Sequence, residues 1–123
     1  MTVIEAIEIL DKLRPNQYKV PQKLRWLSDL DGKVFEDIYL THEDNEFEIF
    51  DRYTEDDMTK ELLIPEPYTE IYEHYLSAQI YYNNNEMARY SNAMIMFNNA
   101  FAEFGAWYNR KHKPVSETKI KNY

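Results

Sequence analysis

Apolar residues recur every three or four positions through the first forty residues, the spacing of amphipathic helices. The stripe of the first helix comprises Val3, Ile7, Leu10 and Leu13. Thr2 and Glu5 have the spacing of a capping box, in which a hydroxyl and a carboxylate bond each other's unpaired backbone donors. Pro15 predicts the end of this helix, because the residue before a proline is displaced from the α region.

A second helix is predicted to start at Pro21, since proline is favoured in the first helical position. Its apolar stripe comprises Leu24, Leu27, Leu30, Val34 and Ile38. Beyond His42 the helical period stops, and it does not return before Pro65. Within that interval, residues 47–64 place large apolar side chains around an acidic turn, which predicts either a short β-hairpin or an irregular acidic loop.

The C-terminal half of the chain predicts a long helical hairpin. A third helix is expected to start at Pro67, with its arm over Tyr68–Tyr82, and a fourth is expected over about Glu86–Lys111. The fourth helix has a heptad-like seam in alternating steps of three and four, comprising Met87, Tyr90, Met94, Phe97, Phe101, Phe104 and Tyr108. Asn83–Asn85 joins the arms, because asparagine tolerates the left-handed conformation and caps helices. So short a connection requires the two arms to pack antiparallel.

These elements predict an all-α, four-helix bundle-like domain over residues 1–113, with an extended, flexible tail over residues 114–123. A chain of 123 residues has the length of one domain. Its 2 glycines disfavour tight-turned all-β folds and glycine-rich phosphate loops, and the lack of cysteine excludes disulfides and thiolate metal sites. No apolar run reaches the roughly 20 residues of a membrane span, and the N-terminus lacks a signal-peptide pattern. We therefore expect a soluble protein made in the cytoplasm, with no membrane partner.

Charge is distributed unevenly along the chain, whose net charge is −8. Between Asp29 and Glu73, 16 acidic residues face three basic ones, a local net charge of −13. The sign reverses after Trp107, where Arg110, Lys111, Lys113, Lys119 and Lys121 face Glu117. An acidic body cannot release counterions from DNA, so binding of nucleic acid by the whole protein is disfavoured.

No group of residues has the pattern of a catalytic, metal or cofactor site, so we expect no enzyme. The carboxylate pairs Glu36–Asp37 and Asp56–Asp57 lie in highly charged stretches, which favours a solvated surface over an acid–base pair. His42, Glu43 and Asp44 could bind a divalent cation, but they lack calcium-loop spacing and are expected to be solvated. Glu70 and His74 could supply two metal ligands from one helix, yet no second such pair exists.

Tyrosine and asparagine are unusually frequent in the C-terminal half. The 11 tyrosines could stack on bases, but that mode needs a basic groove and these residues lie among glutamates. Asn85, Asn92 and Asn99 repeat every seven residues on one side of the fourth helix. They form either a solvated flank or an edge that bonds a neighbouring subunit, and Asn92 and Asn99 are the candidate subunit contacts.

The segments "LLIPEPY", "YEHYL", "NEMARYSNA", "MFNNAFAEF" and "WYNRKHKP", within Glu61–Pro114, resemble small proteins of phages and prophages of Gram-positive bacteria. Those proteins are head–tail connectors, also called adaptor or neck proteins. The resemblance implies a helical bundle that forms a ring, expected to be a dodecamer, between the portal protein and the stopper or tail-completion protein. It further implies a virion protein assembled in the host cytoplasm.

By position, the resemblance also implies that the segment from Arg110 onward reaches the portal. The candidate docking residues are Arg110, Lys111, His112, Lys113, Ile120 and Tyr123. A basic tail on an acidic body suits an acidic partner. DNA would only pass through the channel, where the acidic segment is expected to repel it.

The alternative from another class is a small phage- or prophage-encoded regulatory module that binds a cellular protein. A gene position between capsid and tail genes would favour the connector. A position in an early or lysogeny cluster would favour the module.

Overall fold

The computed structural model describes residues 1–43, 45 and 49–115. They form four α-helices: α1 (Val3–Leu13), α2 (Val20–Asp37), α3 (Glu70–Asn83) and α4 (Met87–Lys111). Two short 3₁₀ turns, Tyr39–Thr41 and Glu55–Asp57, lie between α2 and α3. The described residues contain no β-strand, so the predicted all-α, bundle-like fold is confirmed.

Both N-terminal helices form where the sequence predicts them. The Thr2 hydroxyl accepts from the Glu5 backbone N–H at 3.3 Å, and the Glu5 carboxylate accepts from the Thr2 N–H at 3.0 Å, so the capping box is confirmed. α1 ends two residues before Pro15. α2 begins at Val20, so Pro21 is its second residue and not its first.

The hydrophobic core lies where α1 and α2 meet α3, the helix that contacts each of the other three. Its fully buried apolar side chains are Val3, Leu10, Leu27, Leu30, Val34, Ile64, Ile71, Leu76 and Phe104. α4 packs along α3, and only Ala100, Phe104 and Tyr108 of its 25 residues are buried. α3 therefore separates the exposed side of α4 from the α1–α2 pair.

The segment between α2 and α3 is an irregular acidic loop wherever it is described, and no β-hairpin forms there. Its C-terminal part pairs with the start of the chain. Val3 N–H donates to the Lys60 carbonyl at 3.0 Å, and Leu62 N–H donates to the Met1 carbonyl at 2.9 Å. Phe50, Tyr53, Leu62 and Ile64 of this loop pack on the helical core, whereas Ile49 is 73% exposed. Phe47 lies outside the described residues.

The predicted start of the third helix at Pro67 is wrong, because α3 begins at Glu70. Pro67 lies in a turn that the Tyr68 N–H closes by donating to the Pro65 carbonyl at 2.9 Å. The Thr69 hydroxyl donates to the Glu66 carboxylate at 2.8 Å. These bonds hold the preceding residues outside the helix.

The three asparagines between α3 and α4 adopt only part of their predicted role. Asn85 has a φ of 60°, the left-handed conformation expected of asparagine in such a connection. No asparagine side chain caps α4. The N-cap residue is Glu86, and its side chain makes no capping hydrogen bond to the helix backbone. The side-chain oxygen of Asn84, Oδ1, instead accepts from the Tyr18 hydroxyl at 2.7 Å and from the Gln17 side-chain amide at 3.0 Å. The connection is thereby tied to the segment between α1 and α2.

Aromatic side chains join the two arms of the hairpin at regular intervals. The ring pairs are Tyr68–Phe104, Tyr75–Phe97 and Tyr82–Tyr90, with centroids 5.6, 5.3 and 5.2 Å apart. Each pair lies seven residues further along the first arm and seven residues back along the second, as antiparallel packing requires. The predicted seam of α4 is therefore its contact with α3, and it accounts for several of the tyrosines.

The chain after α4 remains attached to the body through Val115. Its N–H donates to the Thr41 carbonyl at 2.7 Å, and the Glu43 N–H donates to the Lys113 carbonyl at 2.9 Å. Residues 116–123 of the predicted tail, including Ile120 and Tyr123, lie outside the described residues.

Candidate interaction surface

The side of α4 that points away from α3 carries a second heptad-like row of residues. The row runs in alternating steps of four and three through Ala88, Asn92, Ile95, Asn99, Ala102 and Ala106, and all six are exposed. We call this row, with its neighbour Met96, the α4 outer face. Rows with this spacing form helix–helix contacts, and small residues in them allow the backbones to approach closely.

The composition of the α4 outer face is unusual for a solvated helix. Between Arg89 and Arg110 the only charged residue is Glu103. Ile95 is 57% exposed and Met96 is 53% exposed. Protein interfaces are depleted of charged residues and enriched in methionine, whereas solvated helices carry lysine and glutamate. The α4 outer face therefore has the composition of a surface that another molecule covers.

The predicted row of three asparagines is only partly present. Asn92 and Asn99 lie on the α4 outer face and are exposed, as a subunit contact requires. Asn85 precedes α4 and lies in the connection, so it does not belong to this row. Aligned amides in a row of apolar and small residues set the register of paired helices.

The four predicted docking residues that the structure describes differ in their surroundings, and Ile120 and Tyr123 lie outside the described residues. Arg110 and Lys111 are exposed in the last turn of α4, where the negative end of the helix dipole favours cations. His112 stacks on Tyr108 with ring centroids 3.9 Å apart, and Lys113 lies 3.7 Å from the Glu43 carboxylate. We define the basic end of α4 as Arg110 and Lys111, which are exposed and available to a partner.

His42 is not a solvated loop residue, and the expectation that it is solvated is wrong. Its Nδ1–H donates to the Ile38 carbonyl at 2.6 Å, and its Nε2 lies 2.7 Å from Asn109 Oδ1. The ring packs edge-on against Tyr108, with centroids 4.6 Å apart. Burial follows because the 3₁₀ turn before His42 directs the ring against α4. His42 thus joins the end of α2 to the end of α4.

Most of the predicted carboxylate pairs are exposed, as expected. Glu36, Asp37 and Asp56 lie on the surface. Asp57 has a structural role, because its carboxylate accepts from the Thr54 N–H at 2.7 Å and closes a 3₁₀ capping box. Within the described part of the chain no three ligand-type side chains group as a metal site, and Asp44 lies outside that part.

The sequence pattern did not identify a buried carboxylate, Asp31, which joins three segments of the chain. Its side chain is fully buried on α2. The Tyr72 hydroxyl of α3 donates to it at 2.6 Å, the Leu63 N–H donates at 3.0 Å, and the Tyr53 hydroxyl donates as well. Asp31 thereby fixes the acidic loop and α3 against α2.

Burial raises the pKa of Asp31 from 3.8 to about 6, because removal from water disfavours the charged form. The hydrogen bonds from Tyr53, Tyr72 and the Leu63 N–H act in the opposite direction. Burial also raises the pKa of the Tyr72 hydroxyl, as does the neighbouring Asp31 charge. Tyr72 therefore stays protonated and continues to donate.

Tyr72→Phe is expected to lower the free energy of unfolding by about 2 kcal/mol. The Tyr72 oxygen accepts from the Ile64 N–H at 2.8 Å, so the substitution leaves that buried donor and one Asp31 oxygen without their partner. Urea unfolding at pH 7 measures the change. Tyr75→Phe is the matched control on the same helix, since the Tyr75 side chain packs on Phe97 through its ring. Equal, small effects of the two substitutions would contradict this role for Tyr72.

Comparison of the chain with protein-family models, with curated proteins and with solved structures finds no match. Among the described helices, none combines the length and the apolar character needed to cross a membrane. The proposals below therefore rest on the residues of the chain itself.

Proposed function

We propose that the protein is a structural subunit of a phage or prophage head–tail connector, which assembles as a ring between the portal protein and the stopper or tail-completion protein. The observation that carries this proposal is the α4 outer face, a long exposed row almost free of charge. An exposed row of apolar and amide side chains of this length favours aggregation of an isolated subunit, whereas in an assembly it can form the contact between subunits. The sequence segments in Glu61–Pro114 that resemble connector proteins support the same assignment.

A ring requires two different surfaces, because head-to-tail contacts pair one face of each subunit with another face of the next. The second surface that fits is the exposed side of α1, where Glu5, Ile9 and Leu13 lie one helical turn apart. Ile9 is 40% exposed and Leu13 is 52% exposed, so this row also presents apolar area to solvent. We propose that the α4 outer face of one subunit packs on this α1 row of the next.

Charge and position favour this pairing of surfaces. The α4 outer face has Arg89 near one end and Arg110 at the other. The α1 row contains Glu5, and Glu8, Asp11 and Lys12 lie beside it, so this surface is more acidic than basic. Opposite charges at the rim of an interface steer association and fix its register. α4 packs against α3, whereas α1 packs against α2 and α3, so the two surfaces belong to different helices of the subunit.

The basic end of α4 is the proposed contact with the portal. Arg110 and Lys111 project from a helix whose end is fixed by His42 and by the bonds at Thr41 and Val115. A positive group on an acidic body can dock on an acidic partner, while like charges keep the separate subunits soluble. Residues 116–123 follow this anchored end in the sequence and lie outside the described residues.

The double substitution Arg110→Glu/Lys111→Glu is expected to weaken binding to the portal oligomer encoded beside this gene by at least about tenfold. The wild-type chain is expected to bind with the stoichiometry of a ring. Arg25→Glu/Lys33→Glu makes the same charge change at exposed positions of α2 and should bind like wild type. Binding is measured by native mass spectrometry and by titration at fixed ionic strength.

A chain truncated after Val115 separates the basic end from the remaining tail. Truncation after Asn109 would not do so, because it also removes the His112 stack on Tyr108 and the bonds at Lys113 and Val115. Binding lost on truncation after Val115 would assign the portal contact to residues 116–123. Failure of the folded full-length chain to bind the portal would reject the connector and favour the regulatory module.

A further inference from the structure

A small cavity with a donor-rich lining lies where the end of α1 meets α3 and the start of α4. Its volume is about 250 Å³. The polar side chains that line it are Arg14, His74, Ser77, Arg89 and Asn92, and the Tyr81 ring forms part of the wall. The cavity collects two guanidinium groups in a chain whose net charge is −8.

Two buried polar atoms at this cavity lack a hydrogen-bond partner. The first is the hydroxyl of Ser77, a residue that is only 3% exposed. The second is Nε of Arg14, whose guanidinium lies over the Tyr81 ring at 5.8 Å. Buried donors are almost always paired in folded proteins, and these two are free to bond to a small molecule that enters the cavity.

The charges around the cavity favour an anion as that small molecule. None of the described carboxylates lies within ion-pair distance of Arg14, and no carboxylate lines the cavity. Arg89 contacts Glu86 at 3.3 Å, a long and exposed pair that leaves most of its donors unused. Arginine has only donors, and the Ser77 hydroxyl adds one more.

We propose that this cavity binds a small oxyanion of the phosphate class. The guanidinium forks of Arg14 and Arg89 match the spacing of phosphate oxygens, and the Ser77 hydroxyl supplies the donor at the base of the site. Two guanidinium groups favour a dianion over a monocarboxylate. Inorganic phosphate and the phosphate group of a small monoester share this chemistry. The proposal goes beyond the assembly role and does not depend on it.

The test is calorimetric titration of the full-length protein with inorganic phosphate, with glycerol phosphate and with acetate, at constant ionic strength and protein concentration. Phosphate or its monoester is expected to bind one per chain and to raise the thermal midpoint. Ser77→Ala and Arg14→Gln are each expected to weaken binding by about tenfold or more, since each removes a hydrogen bond to a charged group. Arg25→Gln, an equal charge change on the exposed side of α2, should leave binding unchanged.

Ser77→Ala keeps the test independent of folding. The hydroxyl has no partner within the protein, so the thermal midpoint of this variant without ligand is expected to equal or exceed that of wild type. Binding of only one of the two ligands, either inorganic phosphate or the monoester, would support the site and would identify the source of the phosphate. The proposal would be overturned if neither inorganic phosphate nor glycerol phosphate bound saturably. It would also be overturned if Ser77→Ala bound phosphate as tightly as wild type, or if acetate bound as tightly as phosphate.

Discussion

Ile95→Asp is expected to weaken ring assembly by about a hundredfold while leaving the separate subunit folded. Ile95 lies at the centre of the α4 outer face, and an aspartate there would place an unpaired charge in the middle of the subunit contact. In the separate subunit the side chain is 57% exposed, so the free energy of unfolding should change by no more than about 0.5 kcal/mol. Native mass spectrometry counts the copies bound per portal oligomer.

Leu40→Asp is the matched control for Ile95→Asp, because Leu40 is 44% exposed and lies outside both proposed contact surfaces. This variant should assemble like wild type. Equal loss of assembly in the two variants would show that any added charge is harmful and that the α4 outer face has no special role. Full assembly of Ile95→Asp would exclude this face from the subunit contact.

The second large expected effect is a dependence of the free energy of unfolding on pH, caused by the titration of Asp31. Its pKa is raised in the folded state, from 3.8 to about 6, so the folded protein holds a proton that the unfolded chain has already lost over this range. The contribution of Asp31 to stability is therefore fully present below pH 3.8 and is lost as the pH rises to about 6. Such a change in pKa corresponds to about 3 kcal/mol.

Comparison with Asp31→Asn isolates this contribution, because the other titrating groups are common to both chains. The free energy of unfolding of wild type minus that of Asp31→Asn is expected to fall by about 2 kcal/mol between pH 4 and pH 6.5. The same difference in the free energy of unfolding, taken for Asp57→Asn, is expected to change with pH in the opposite direction. The hydrogen bond from the Thr54 N–H lowers the pKa of Asp57 in the folded state. That difference rises with pH through the acid range. If the difference for Asp31→Asn stayed constant or rose with pH, the result would contradict a raised pKa of Asp31 in the folded protein.

The periodic features of the sequence predicted most of the helical fold. The capping box at Thr2 and the proline at position 15 bounded α1, and the aromatic seam predicted the contact between α3 and α4. Local signals of this kind act within a few residues along the chain. They fail where a non-helical turn competes with the helix, as before Glu70, where bonds between Pro65 and Tyr68 and between Glu66 and Thr69 delay the start of α3.

Asp31 was missed because its charge was counted with its acidic neighbours. The pattern nevertheless contains a signal: Leu24, Leu27, Asp31, Val34 and Ile38 form one row in steps of three and four. A single carboxylate in an apolar row is buried unless the row is interrupted, and its partners come from segments more than twenty residues away. No local pattern identifies those partners.

The candidate surface was predicted in part. Asn92 and Asn99 were identified from their spacing, but the full extent of the α4 outer face required knowledge of which side of α4 faces α3. The docking residues were chosen by their position in the chain, and sequence position does not show that His112 stacks on Tyr108 or that Lys113 lies near Glu43. The unpaired donors of Arg14 and Ser77 come from helices far apart in sequence, and no spacing rule joins them.

Cross-linking of neighbouring subunits tests the central claim most directly, and the absence of cysteine makes the chain suited to it. Ile9→Cys, Ile95→Cys and the double variant are assembled on the portal oligomer and treated with a short bifunctional thiol reagent. We expect a ladder of linked subunits for the double variant and none for either single variant, because each proposed contact joins α1 of one copy to α4 of the next. A dimer from Ile95→Cys alone, or no linkage in the assembled double variant, would contradict it.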